Sequence, residues 1–443
     1  MLFDPLWMIT TGFVIAFILA FGIGANDVAN SFGTSVGAKV LTLIQACILA
    51  TIFETAGALL LGTKVSDTIR KGIVDVASYE NDHKLFMVGQ ISALIGACVW
   101  LLIATFFRLP VSGTHSIVGA ILGFGLVAHG ANGIYWEKIG MIVGSWLISP
   151  LLAGAVSVFI FYIVRKFILE KADCLQAGLV FLPFIYAITI TINTFSIFYD
   201  GPKMLGFDKI PLYGTFILSF GCGLITGLVV FFAVVPWQRK HITGKGMRKN
   251  KKVQENNNLN DRILLRLSTN KFFSEQEIKD KPEASMLFSF LQILTAVFGS
   301  FAHGGNDVSN AIGPLIALWT VSHAQSVEQS DPAPIWILLY GSAGISIGLW
   351  VWGRRVIKTL GEDLTKITPT SGFCIEIGTA LTVLIASNVG IPVSTTHCKV
   401  GAVVCTGRFR SRENVDWRVF RNIVFAWIVT LPMCQMLICL CLI

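Results

Sequence analysis

Runs of uncharged apolar sequence, each about as long as a bilayer is thick, recur from one end of this chain to the other. They decide what it can fold into. Residues 6–24 contain no charged side chain, and about 20 apolar residues in a helix cross the hydrocarbon core. Comparable runs lie near 41–61, 85–107, just after 115 and up to 128, and at 139–163, 179–198 and 213–235. Five more follow near 286–302, 335–352, 373–388, 396–406 and 420–443. Lipid offers backbone groups no hydrogen bonds, so such runs must be helical. The expectation is an all-α polytopic membrane protein with about twelve transmembrane segments.

Charge supports this reading. Only 14% of residues are charged, against about 25% in soluble domains. The net charge of +8 raises the question of nucleic acid, but the basic residues sit in the connections. Residues 238–252 hold seven Lys or Arg and no acid. Positive cytoplasmic loops explain them, so the bilayer and not nucleic acid is the expected partner. The linker 238–284 is placed in the cytoplasm, with a short surface helix near 260–267. Both termini are then outside. The ten cysteines are scattered through apolar segments without metal spacing and read as small buried hydrophobes. The tryptophans, Trp7, Trp136, Trp146, Trp336 and Trp417 among them, read as interface belts and packing.

Two motifs interrupt the apolar pattern, and each occurs twice. Gly24-Ala25-Asn26-Asp27-Val28-Ala29-Asn30-Ser31-Phe32-Gly33-Thr34 returns from Gly304 to Pro314, with six of eleven positions identical. Leu109-Pro110-Val111-Ser112-Gly113-Thr114-His115 and its continuation to Ala120 return from Ile391 to Ala402, with eight of twelve identical. Asp27 and His115 are 88 residues apart, and Asp307 and His397 are 90 apart. The chain therefore contains an internal duplication. Seven spans between the copies turn the second one over, and inverted repeats place their site near the bilayer midplane. The expected domains are a first repeat at 1–138, bracing helices at 139–237, the basic linker at 238–284 and a second inverted repeat at 285–443.

In Pro-Val-Ser-Gly/Thr-Thr-His, proline breaks the incoming helix and Ser caps a new one. Broken, re-entrant helices are tolerated at membrane depth where they line a cavity or are buried in protein. A helix start offers free N–H groups and the positive end of the dipole, which suits an oxyanion. Ser112, Gly113, Thr114, Ser394, Thr395 and Thr396 are the anion-binding candidates. The plainer alternative is a kinked helix capped by its own Ser or Thr. Acids at membrane depth mark ion paths or buried pairs. Asp27 and Asp307, with Asn26, Asn30, Asn306 and Asn310, form an oxygen-only set that suits a hard monovalent cation such as Na⁺. The same residues would otherwise cap broken helices. Glu54 and Glu376 are candidates for cation binding, proton carriage or pairing with a base, and are assigned to coupling or gating with His115 and His397. For these two and His303, an ordinary hydrogen-bonded helix contact is the competing reading.

The paired motifs resemble those of the PiT-type inorganic phosphate transporters, the type III sodium–phosphate cotransporters. Phe53-Glu54-Thr55 and Thr68-Ile69-Arg70-Lys71-Gly72 resemble that family too. The resemblance implies Na⁺-driven phosphate uptake at the plasma membrane, two inverted repeats, extracellular termini and a cytoplasmic central loop. It also implies essential roles for Asp27, Asp307, Glu54 and Glu376. No cofactor is expected; Na⁺ is co-transported. Some animal members serve retroviruses as receptors, so viral receptor use is a further expectation, as is a homodimer. The central loop is much shorter than in animal members, and Gln90 stands where some members carry an acid. Proton-coupled phosphate or metal–phosphate transport is the nearest alternative. A receptor or scaffold would not need acids in lipid. An intramembrane hydrolase built on Ser112 and His115 lacks a nucleophile elbow.

Overall fold

The computed structural model describes residues 6–27, 29–199, 201, 205–244, 280–358, 364–411 and 414–442. The postulated surface helix near 260–267 lies outside the described residues. Eleven helices among those described are long and apolar enough to cross a membrane. The labelled helices are α1 (Leu6–Asp27), α2 (Ala29–Gly37), α3 (Leu43–Lys71), α4 (His83–Phe106), α5 (Gly113–His129), α6 (Trp136–Val164) and α7 (Cys174–Phe198). They continue with α8 (Leu212–Val229), α9 (Pro282–Ala324), α10 (Ile335–Trp352), α11 (Pro369–Val389), α12 (Thr395–Arg410) and α13 (Trp417–Leu442).

The expected span at 396–406 belongs to α12, which has 16 residues and is too short to cross. In the second copy of the Asn-Asp motif, one helix of 43 residues runs through the whole motif, although the sequence suggested a span ending near 302. The hydroxyl of Ser309 donates to Gly305 O of its own helix and to Gly62 O of α3. Polar side chains here bond partners without breaking the helix. Past α8, helix continues to Gly244, beyond the expected start of the linker at 238.

Two hairpins hold the molecule's centre. At the base of α4 and α5, Val74 pairs with Ile134 in a single β-bridge, and Tyr79 packs on Phe86 and Phe124. This is the end where α3 finishes. At the base of α11 and α12, Thr365 pairs with Val415, and Asp280 binds Arg410 at 2.9 Å and the N–H of Thr370 at 3.1 Å. This is the end where α9 starts. Helices α3 and α9 run parallel: Leu61 lies on Gly305 and Ile69 on Gly313, and beyond them Arg70 donates to Asp331 O. The hairpins therefore enter from opposite ends of the bundle, and their tips meet. Thr114 Oγ1 donates to Val393 O at 2.9 Å, and Thr396 Oγ1 donates to Val111 O at 3.1 Å.

Close helix crossings position these tips. A methyl group on Gly24 would overlap Ile345 O of α10, and one on Gly304 would overlap Glu54 O of α3. Gly57 and Gly348 meet Phe301 O and Phe21 O in the same way. Small residues let backbones approach where lipid gives no hydrophobic drive to associate. The outer helices α7 and α8 turn Phe184, Ile188, Ile217, Phe220 and Leu224 outward, the apolar face that lipid requires.

Candidate transport site

Local chemistry sets the two helix starts. Ser112 caps α5 by accepting from His115 N at 3.2 Å, and Ser394 caps α12 by accepting from His397 N at 3.2 Å. Each cap follows a proline, as the Pro-Val-Ser pattern requires. Backbone N–H groups and threonine hydroxyls of both helices thus converge where the tips touch.

The two aspartates fill that space. Asp27 Oδ2 accepts from Gly113 N at 3.2 Å, and Oδ1 accepts from Thr396 Oγ1 at 2.9 Å. Asp307 Oδ2 accepts from Thr395 Oγ1 at 2.8 Å. The asparagines make matching links. Asn30 Nδ2 donates to Thr396 Oγ1 at 2.9 Å, and Asn310 Nδ2 donates to Thr114 Oγ1 at 2.8 Å. Asn26 Nδ2 donates to Leu109 O at 3.0 Å, and Asn306 Nδ2 donates to Val393 O at 2.9 Å. Each motif thus binds across to the other copy's hairpin as well as to its own. All six Asn and Asp side chains are buried. Hydrogen bonds to a charged group contribute about 1.5–3 kcal/mol each, which offsets part of the several kcal/mol lost on burying a carboxylate.

The anion-binding candidates therefore lie together, but Gly113 N, Thr395 Oγ1 and Thr396 Oγ1 already hold the chain's own carboxylates. The amide oxygens Oδ1 of Asn30, Asn306 and Asn310 are buried and accept no hydrogen bond. They are hard oxygen donors beside two carboxylates, and that set fits a monovalent cation. Among the described residues, no group of three or more His, Cys, Asp and Glu has the geometry of a metal site.

The remaining candidates divide. His303 lies between two acids, with Nδ1 3.2 Å from Glu54 Oε1 and Nε2 2.5 Å from Asp307 Oδ2. It thus links Glu54 of α3 to the aspartate of the second motif. Glu376 lies on one flank, where its oxygens accept from Thr34, Ser35, Gln292 and Thr295. His115 and His397 form the middle of a four-ring column. Their centroids are 4.4 Å apart, Trp146 sits 3.6 Å from His115, and Trp427 sits 3.7 Å from His397. Trp146 is buried in this column and does not serve an interface belt. Gln90 is buried without a hydrogen-bond partner.

Sequence reasoning missed Lys399, which is buried on α12 and donates to Thr34 Oγ1 at 3.0 Å. Its signal was a lysine where the first copy has Ile117.

With this geometry in hand, comparison with known proteins decides the family. A model described as the phosphate transporter family matches residues 23–438. The chain belongs to the phosphate transporter family. Among the relatives of this phosphate transporter family chain, "Sodium-dependent phosphate transporter 1-A" of Danio rerio is 42% identical over 97% of this chain and 93% of its own. "Sodium-dependent phosphate transporter 1" of Homo sapiens is 39% identical over 97% of this chain and 95% of its own. A solved structure titled "The sodium-dependent phosphate transporter" superposes with a TM-score of 0.83, at 37% identity over 98% of each chain. The all-α membrane fold is shared with that structure, and the family is one of transporters and not of enzymes.

Proposed function

We propose that this protein is a sodium-coupled symporter that imports inorganic phosphate across the plasma membrane by alternating access. The observation that carries this reading is that two capped helix starts from opposite ends of the bundle share their donors with one aspartate from each copy of the duplicated motif. Cation and anion sites then compete for the same hydrogen bonds. Na⁺ binds Asp27 with Asn26 and Asn30, and Asp307 with Asn306 and Asn310. It draws the carboxylates from Gly113 N, Thr395 Oγ1 and Thr396 Oγ1. Those donors, with Ser112, Thr114 and Ser394, then receive phosphate. The half-loaded site leaves a buried charge unpaired, which disfavours its movement. The membrane potential adds about 2.3 kcal/mol per net charge per 100 mV.

The opposed hairpins support inverted repeats that rock against each other, with α7 and α8 as the brace. The positive linker supports its cytoplasmic placement and extracellular termini. The test is phosphate uptake into proteoliposomes at fixed pH. Uptake should require Na⁺ and collapse when choline replaces it. Equal uptake in choline would defeat the reading. A second reading, proton coupling, has one observation in its favour: His303 joins Glu54 to Asp307. Uptake that follows a pH gradient without Na⁺ would select it.

A further inference from the structure

The two halves mirror each other at the central site but not beside it. Thr34, Glu376 and Lys399 form one chain of hydrogen bonds. Lys399 Nζ donates to Thr34 Oγ1 at 3.0 Å, and that hydroxyl donates to Glu376 Oε1 at 2.6 Å. All three side chains are buried. None has a polar counterpart in the other copy. Pro314 aligns with Thr34, Ile117 aligns with Lys399, and Leu94 stands as far before its hairpin motif as Glu376 does before the other.

A lysine inside a membrane helix is costly and calls for a purpose. Among the described residues, Lys399 Nζ donates one hydrogen bond, to Thr34, and it lines a narrow cavity with Asn30, His303, Glu376 and Thr395. That cavity holds about 10 Å³, room for one water and too little for phosphate. The carboxylate of Glu376 also ties α11 to α2 and to α9, through Ser35 at 2.5 Å and Thr295 at 2.7 Å. Lys399 ties α12 to α2 through the same Thr34. Both legs of one hairpin are thus fastened by one acid–base relay, at a position where no lipid or bulk water supplies a counter-ion.

We propose that Lys399 is a tethered cation that compensates Glu376 through Thr34 when the carrier is empty, and so permits the unloaded protein to reorient. The inference rests on the sodium-coupled reading above. Na⁺ brings its own charge to the loaded carrier, whereas the empty one must move with its acids and no ion. A lysine on a moving hairpin supplies one positive charge that is never released. Lys399 acts here as a positioning residue for the return step and does not contact phosphate.

The test compares two modes in proteoliposomes holding the full chain. Net uptake under an inward Na⁺ gradient needs the empty carrier to return. Exchange of labelled for unlabelled phosphate, with equal Na⁺ on both sides, does not. In K399Q, net uptake should fall at least tenfold while exchange stays within about twofold of wild type. Parallel loss of both modes, or loss of neither, would overturn the proposal. K399R keeps the charge and should retain more net uptake than K399Q; equal loss in both would assign the effect to shape and overturn it as well. If K399Q does not insert, K399M keeps the apolar stem and is read by the same outcomes. Wild-type vesicles without Na⁺-dependent uptake would defeat the functional reading first, which separates the two failures.

Discussion

At the residue scale, the proposed coupling rests on Asp27 and Asp307. Each accepts hydrogen bonds that a phosphate oxygen would need. Asp27→Asn keeps the shape but removes the charge that attracts a cation. Na⁺-dependent phosphate uptake should drop more than tenfold at equal surface expression, as measured with radiolabelled phosphate; uptake at the wild-type level would refute the cation role. Thr396 donates to both Asp27 and Val111 O and accepts from Asn30. Thr396→Val removes all three bonds. It should raise the KM for phosphate at least about tenfold, since a bond to a charged group contributes about 1.5–3 kcal/mol and about 1.4 kcal/mol is a factor of ten. An unchanged KM would exclude Thr396 from the anion site. The motif residues were legible in the sequence because acids and amides are rare in apolar runs and here occur twice. His303 and Lys399 were not, because their partners Glu54, Asp307 and Thr34 come from tertiary packing.

At the element scale, the caps at Ser112 and Ser394 were readable, since a proline followed by an N-cap acts locally. The continuity of α9 was not. The apolar run was expected to end near 302, yet the glycines around Asn306 serve close packing of α9 on Glu54 and Leu61 of α3. The role of Trp146 was hidden for a related reason: its ring partner His115 lies on another helix. Gly304→Ala places a methyl group into Glu54 O. Overpacking of this kind costs about 1–3 kcal/mol. The variant should melt at lower temperature in detergent than wild type, as followed by fluorescence-detected size exclusion. A melting temperature at or above the wild-type value would show that the crossing is looser than described.

At the scale of the whole molecule, two hairpins enter from opposite ends and touch only at their tips. The alternating-access reading proposed above rests on this opposed arrangement. In the reading proposed above, the basic linker places the end where α9 starts in the cytoplasm. The connection after α6 lies at the end where α9 starts, since Lys281 reaches Leu169 O. The loop before α4 lies at the opposite end, beyond α3. In a background with the exposed Cys222 replaced by Ser, N81C should react with an impermeant thiol reagent on intact cells, whereas E170C should react only after permeabilisation. The reverse pattern would invert the orientation. The duplication made the paired hairpins legible, whereas the asymmetric Thr34–Glu376–Lys399 relay emerged only from packing.

The central claim is that a cation frees the helix starts for phosphate by drawing Asp27 and Asp307 away from them. Equilibrium binding of labelled phosphate to the purified protein, with Na⁺ titrated against choline at fixed pH and ionic strength, tests it most directly. Phosphate affinity should rise at least tenfold as Na⁺ increases, and Na⁺ affinity should rise by the same factor with phosphate, as linkage requires. Phosphate binding that is equally tight in choline would contradict it.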